Sequence, residues 1–126
     1  MDKEVISTGR APEAIGPYSQ AIIAGGLVYC SGQVPLDPRS GELIDAGIAD
    51  QTRRCLQSLG AVLETAGSAF DKVVKVTAYL VDMDDFPEFN EAYGEFFAVD
   101  PPARATVGVS ALPKGARVEV DCIAHL

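Results

Sequence analysis

Arg104 and Glu119 are the residues whose types and spacing point to chemistry. Arg104 follows Pro101-Pro102-Ala103, a stretch that proline keeps extended, and precedes Thr106, Val107 and Val109, which read as a strand. Such an arginine has three readings. It is an exposed charge, it pairs with Glu119 or Asp121, or it holds an anionic ligand. A guanidinium is a rigid planar fork that grips a carboxylate through two parallel hydrogen bonds, a geometry lysine lacks. Glu119 lies between Val118 and Val120 on the last strand. It is a solvent-facing strand residue, an arginine partner, or a general base for water. Desolvation would raise its proton affinity and a neighbouring arginine would lower it.

Other chemistry finds little support. His125 is the one histidine and sits next to the last residue, so a Ser-His or Cys-His nucleophile system is not indicated. Cys30, Cys55 and Cys122 are an odd number, far apart, and no CxxC occurs, which argues against disulfides and against a zinc site. They read as small buried side chains. No GxGxxG or phosphate loop is present. Tyr18 follows Gly16-Pro17, so a turn sets its ring, either as a packing residue or as a hydroxyl at a pocket edge.

The elements that must position these groups follow from periodicity. Gln20 to Gly32 holds two short apolar runs around Gly25-Gly26, a hairpin signal, and both faces of Leu27-Val28-Tyr29-Cys30 read as buried. Pro35 to Gly41 reads as loop. Leu56, Leu59, Val62, Leu63 and Ala66 recur at helical spacing, predicting a helix over 50–66 that stops at Gly67. Residues 72–81 alternate as a strand, with Val74, Val76, Ala78 and Leu80 on one face. A second helix is expected from an Asp84 or Asp85 cap to about Ala98. Its aromatic stripe, Phe86, Phe89, Tyr93, Phe96 and Phe97, reads as core. Strands 104–109 and 117–124 complete the order ββαβαββ, an α+β sheet with two helices on one face. On the uncovered face the alternation places Thr77, Tyr79, Thr106, Glu119 and Ile123. A semi-polar face of this kind suggests burial against another copy of the chain.

Composition bounds the rest. The 126 residues make one domain, 1–126, and carry a net charge of −8. Seven acids and no base fall between Val76 and Ala103, a surface that repels a phosphate backbone, so nucleic acid is not an expected partner. The longest apolar run, Ala21 to Cys30, is too short to span a membrane. The mixed-charge start MDKEVISTGR carries no secretion signal, so the cytoplasm is the expected compartment.

The segments APEAIGPYSQA (11–21), YCSGQVPLDPRSGEL (29–43), VVKVTAYLVDMDDFPEFNEAYGEFF (73–97) and PPARATVGVSALPKGARVEVDCIA (101–124) resemble the Rid family, the reactive intermediate deaminases, also called the YjgF family. The last segment is the most specific. Pro-Ala-Arg enters a strand, then Leu-Pro and an apolar-Glu-apolar triplet follow. The resemblance implies a chorismate-mutase-like fold, and a homotrimer whose sheets form a central barrel with clefts between subunits. It implies hydrolysis of enamine and imine intermediates to 2-keto acids and ammonia without a cofactor or metal, with small 2-imino and 2-keto acids as ligands. Position by position, Arg104 matches the carboxylate-binding arginine and Glu119 the glutamate that activates water. Tyr18, Ser31, Gly32, Asn90 and Thr106 match substrate-binding positions of the cleft. Thr106 stands where many members carry cysteine, and Ala105 where many carry serine, which puts thiol-based regulation in doubt but not imine hydrolysis. The competing readings are an endoribonuclease or translation inhibitor, a non-catalytic ligand-binding or chaperone-like trimer, and chorismate mutase.

Overall fold

A computed structural model describes residues 2–126. Strands β1 (Glu4–Ile6), β2 (Ala21–Ala24) and β3 (Leu27–Gln33) lead into helix α1 (Ile48–Ala66), followed by β4 (Val73–Leu80), α2 (Phe86–Gly94), β5 (Ala103–Gly108) and β6 (Val118–His125). The two helices pack on one six-stranded mixed sheet of order β1-β2-β3-β6-β4-β5. Only the β4–β5 pair is parallel. The expected α+β architecture is present, with β1 added at the edge. Three residues are too few to show an alternation, which is why the pattern did not announce it.

Local chemistry accounts for the main elements. Gly25 and Gly26 both take positive φ, at 60° and 78°, and close the β2–β3 hairpin in the way that tight turns demand. Helix α1 buries Cys55, Leu56, Leu59, Val62 and Leu63 against the sheet, and the backbone N–H groups of Gly67 and Ser68 return to carbonyls of its last turn. On β6, Val118, Val120, Cys122 and Ala124 are buried beneath the helices, as the alternation predicted. All three cysteines are free and buried.

Four expectations are corrected. Val74 is 46% exposed while Val73 is buried, because the β4–β6 register shifts between Val73 and Lys75 and one extra residue reverses the phase. Tyr29 is 44% exposed, so β3 is buried on one face alone. Helix α2 stops at Gly94 rather than near Ala98. The Asp85 side chain caps nothing. Its carboxylate instead accepts from Arg117 Nη2 at 2.8 and 2.9 Å, while Asp82 accepts from the Asp84 N–H at 2.9 Å.

One buried polar residue organises the chain before the hairpin. Gln20 is 5% exposed. Its Nε2 donates to the carbonyls of Thr8 (3.1 Å), Ala11 (3.4 Å) and Pro12 (2.8 Å), and its Oε1 accepts from the Thr8 N–H at 2.7 Å. The amide thus stands in for a strand partner along residues 8–12. Gln20→Ala strands these backbone groups out of water, and unfolding titrations should show a loss of about 2–4 kcal/mol. A loss below about 0.5 kcal/mol would show that water replaces the amide without penalty.

Candidate functional site

Strand β3 breaks its pairing with β6 between Cys30 and Gln33, so Ser31 and Gly32 together oppose the single step at Asp121. Bulges of this kind re-aim neighbouring side chains. Here the bulge presses Gly32 against Glu119. A Cβ built on Gly32 would overlap Glu119 Oε2 and lie 2.9 Å from its Cδ, so glycine is required by close approach. Ser31 is fixed beside it, its Oγ donating to the Ser19 carbonyl at 2.6 Å and its N–H to the Gln20 carbonyl at 2.9 Å.

Tyr18 completes this corner. Its N–H closes a tight turn onto the Gly16 carbonyl at 2.8 Å, and its hydroxyl accepts from the Ile15 N–H at 3.4 Å. Tyr18, Ser31, Gly32 and Glu119 line one cavity of about 360 Å³. Ile15, Val34, Leu36 and Pro113 supply apolar wall, and Gln20 and Gln33 supply amides. The sequence did not point to Gln20 or Pro113, and the one available signal was their proximity to GPY and to the Leu-Pro turn.

The electrostatics of the cavity favour proton transfer at Glu119. Burial pushes its carboxyl above the usual range, and the negative charge of Asp121, two residues along the same face, pushes the same way. Asp121 is itself engaged, accepting from the Tyr79 hydroxyl at 2.8 Å. That hydrogen bond, aided by burial, moves the Tyr79 phenol up to about 12. Tyr79 lies opposite Glu119 in the β4–β6 register.

Arg104 lies elsewhere. It is in register with Val76, and Thr106 with Ala78, along the parallel β4–β5 pair. Val76 and Ala78 are buried under the helices, so Arg104 and Thr106 take the helix side of the sheet. Thr106 therefore leaves the open face on which the alternation had placed it. The parallel register with β4 sets the phase of β5, and the sequence of β5 alone does not reveal it. The Arg104 guanidinium carbon sits 5.6, 5.5 and 4.7 Å from the ring centroids of Phe86, Phe89 and Tyr93. Among the described residues the ion pairs engage Arg10, Arg53 and Arg117, and none engages Arg104. Its pairing with Glu119 or Asp121 within the chain is thus excluded.

The expected residues fall into two groups. Tyr18, Ser31, Gly32 and Glu119 share the cavity. Arg104 and Thr106 lie on the edge strand β5, and Asn90 lies on α2, the helix that supplies the rings over Arg104. The aromatic stripe read as core has two roles. Phe89, Tyr93 and Phe97 are buried, yet Phe86, Phe89 and Tyr93 also face the cation. Their spacing of three and four residues was the available signal.

Two outcomes follow at Glu119 and Gly32. The raised carboxyl means that ionisation is disfavoured in the folded chain. Below its ordinary value near 4.5 both folded and unfolded states hold the proton and no stability is lost. As pH rises above that value the folded state bears the burial penalty. Glu119→Gln should therefore raise the melting temperature at pH 7, with the gain fading as pH falls toward 4. An equal or lower melting temperature at pH 7 contradicts the assignment. Gly32→Ala should swing the carboxylate away and leave the fold's circular dichroism unchanged. Retention of the Glu119 position in the variant's crystal structure would refute the close-approach argument.

Comparison with known proteins places this arrangement. The sequence profile described as Endoribonuclease L-PSP matches residues 8–126. A RutC family protein of Pyrococcus horikoshii is 50% identical over 123 residues, covering 98% of each chain. The 2-iminobutanoate/2-iminopropanoate deaminase of Homo sapiens is 46% identical, covering 97% of this chain and 89% of that protein. Among solved structures, the Rid protein YyfA of Yersinia pestis superposes with a TM-score of 0.96 at 47% identity, covering 99% and 100% of the two chains. Escherichia coli TdcF with bound serine superposes with a TM-score of 0.93 at 38% identity, covering 98% of each. With nearly the full length matched in sequence and in fold, the chain belongs to the Endoribonuclease L-PSP family, the YjgF/Rid proteins.

Proposed function

We propose that this chain hydrolyses reactive 2-imino acids, and the enamines that tautomerise to them, to 2-oxo acids and ammonia. The observation that carries the reading is that the chain holds both an arginine left without a carboxylate and a glutamate whose proton affinity is raised. A 2-imino acid presents a carboxylate next to an electrophilic C=N carbon. Arg104 grips the carboxylate and so fixes that carbon. Glu119 orients a water and takes one of its protons as the new C–O bond forms, while the C=N π electrons move to nitrogen. That proton passes to nitrogen and gives a carbinolamine. Glu119 then carries the carbinolamine hydroxyl's proton to the amine, the C=O bond forms as the C–N bond breaks, and ammonia leaves behind the 2-oxo acid. The substrate is intrinsically reactive, so positioning contributes more than strong acid-base push. The names of the human and mouse relatives, 46% and 49% identical, support the substrate class, as does the serine bound in TdcF.

In this reading the site is shared between copies of the chain. Arg104 and Glu119 lie two strands apart, about 10 Å across the sheet, are offset by three residues along it, and occupy opposite faces. A second copy laid across the edge strand β5 would bring its Glu119 cavity to this copy's Arg104, with Asn90 and Thr106 beside the cation and Tyr18, Ser31 and Gly32 beside the glutamate. The homotrimer implied by the resemblance provides that contact three times. The endoribonuclease reading is less well supported. The lone histidine is exposed at the chain end, its Nδ1 2.8 Å from the Leu126 carbonyl, and the acidic stretch over 82–100 disfavours RNA.

A pyridoxal-phosphate threonine or serine dehydratase, coupled to this protein, tests the reading. The release of 2-oxo acid should outpace the spontaneous rate. Arg104→Ala should abolish the gain without changing the oligomer's elution volume. Glu119→Gln should lower the rate by roughly 10²–10⁴-fold. Release at the spontaneous rate with wild-type protein, or an unchanged rate with Arg104→Ala, would refute the assignment.

A further inference from the structure

We infer that Phe86, Phe89 and Tyr93 form an aromatic cradle that positions Arg104 for a planar carboxylate, and that Phe86 and Tyr93 are positioning residues of the reaction. This rests on the deaminase reading above and deepens it.

All three ring centroids lie within 5.6 Å of the guanidinium carbon, inside the range in which a ring face attracts a cation. The rings occupy one face of α2, with Phe86 in its first turn and Tyr93 in its last. An acidic residue at any of these places would also hold the arginine, but would neutralise it. Ring faces hold the charge and leave its N–H edge free to donate.

A second observation points the same way. The hydroxyls of Tyr93 and Thr106 are buried without hydrogen-bond partners, two of the three such side-chain atoms among the described residues. Thr106 is two residues from Arg104 on the same strand face. Burial pushes the Tyr93 phenol up and the Arg104 charge pulls it down, so the hydroxyl stays protonated next to the cation. The rings that face the guanidinium are neutral and no ion pair engages it, which leaves its charge for a ligand. Stacking also requires a flat cation, which is a reason for arginine rather than lysine at 104.

The cradle is tested at Phe86, which is half-buried and whose loss leaves the buried members of the core in place. Phe86→Leu keeps apolar bulk and removes the ring face, whereas Phe86→Tyr restores the face. Calorimetric titration with 2-oxobutyrate and steady-state turnover of dehydratase-derived imine are measured on each. Phe86→Leu should weaken 2-oxobutyrate binding and raise KM about three- to thirtyfold, with kcat within about twofold of wild type. Phe86→Tyr should return both to wild-type values. Tyr93→Phe, which keeps the ring and removes the hydroxyl, should change binding by less than about twofold. Binding by Phe86→Leu at wild-type strength overturns the cradle alone, as does a KM that Phe86→Tyr fails to restore. A larger loss in Tyr93→Phe than in Phe86→Leu also overturns it, because the hydroxyl would then hold the arginine. Wild-type protein that neither binds 2-oxobutyrate nor accelerates imine hydrolysis overturns the deaminase reading and the cradle together.

Discussion

A strand shows its side chains to alternate faces, and that two-residue period keeps Arg104 and Glu119 of one chain apart. Val76 carries Arg104 to the helix side and Tyr79 carries Glu119 to the open side. Had β5 been one residue out of phase, the cation would face the carboxylates of its own sheet. An internal ion pair would then consume both groups, and the desolvated pair would be hard to open. The sheet instead stores an unpaired positive charge at an edge and a carboxylate with raised proton affinity in a cavity. Each is held by means that do not neutralise it.

The means differ on the two sides. At Arg104 the holding force is the attraction of ring faces, worth roughly 0.5–2 kcal/mol per contact, enough to orient a side chain and too little to immobilise its charge. At Glu119 it is close packing. The bulge at Ser31 and Gly32 brings backbone against the carboxylate where a side chain would not fit. Gln20 anchors residues 8–12 from below, and so steadies the turn that carries Tyr18. A second bulge, at Val74, reverses the phase of β4 and lets Val73 enter the core.

Much of this was legible in the residues. Gly25-Gly26 marked the hairpin because two adjacent positive φ values are needed there. Helix α1 followed from its apolar spacing and Gly67. Arg104 stood out as a cation at the entrance to a strand, and Glu119 as a carboxylate between Val118 and Val120. What escaped depends on pairing rather than on local pattern. The faces of Val74 and Thr106 are set by the register with β6 and β4, and a strand's own sequence does not contain it. Tyr29 looked buried because its neighbours are apolar, yet a tyrosine suits a half-open face. Gln20 looked like an ordinary polar residue, since its partners are backbone groups 8 to 12 positions away. The aromatic stripe was read as core, and the cation that three of its rings face became visible once β5 was placed beside α2.

The central claim is that one copy's Arg104 and another copy's Glu119 serve the same reaction. Co-expression of Arg104→Ala and Glu119→Gln chains, each inactive alone, tests it directly. In randomly mixed oligomers about a quarter of the sites would combine an intact arginine from one chain with an intact glutamate from its neighbour. Imine hydrolysis should then return to about a quarter of the wild-type rate. Mixed oligomers that form but stay at the spontaneous rate would contradict the account, because both groups would then have to act from a single chain.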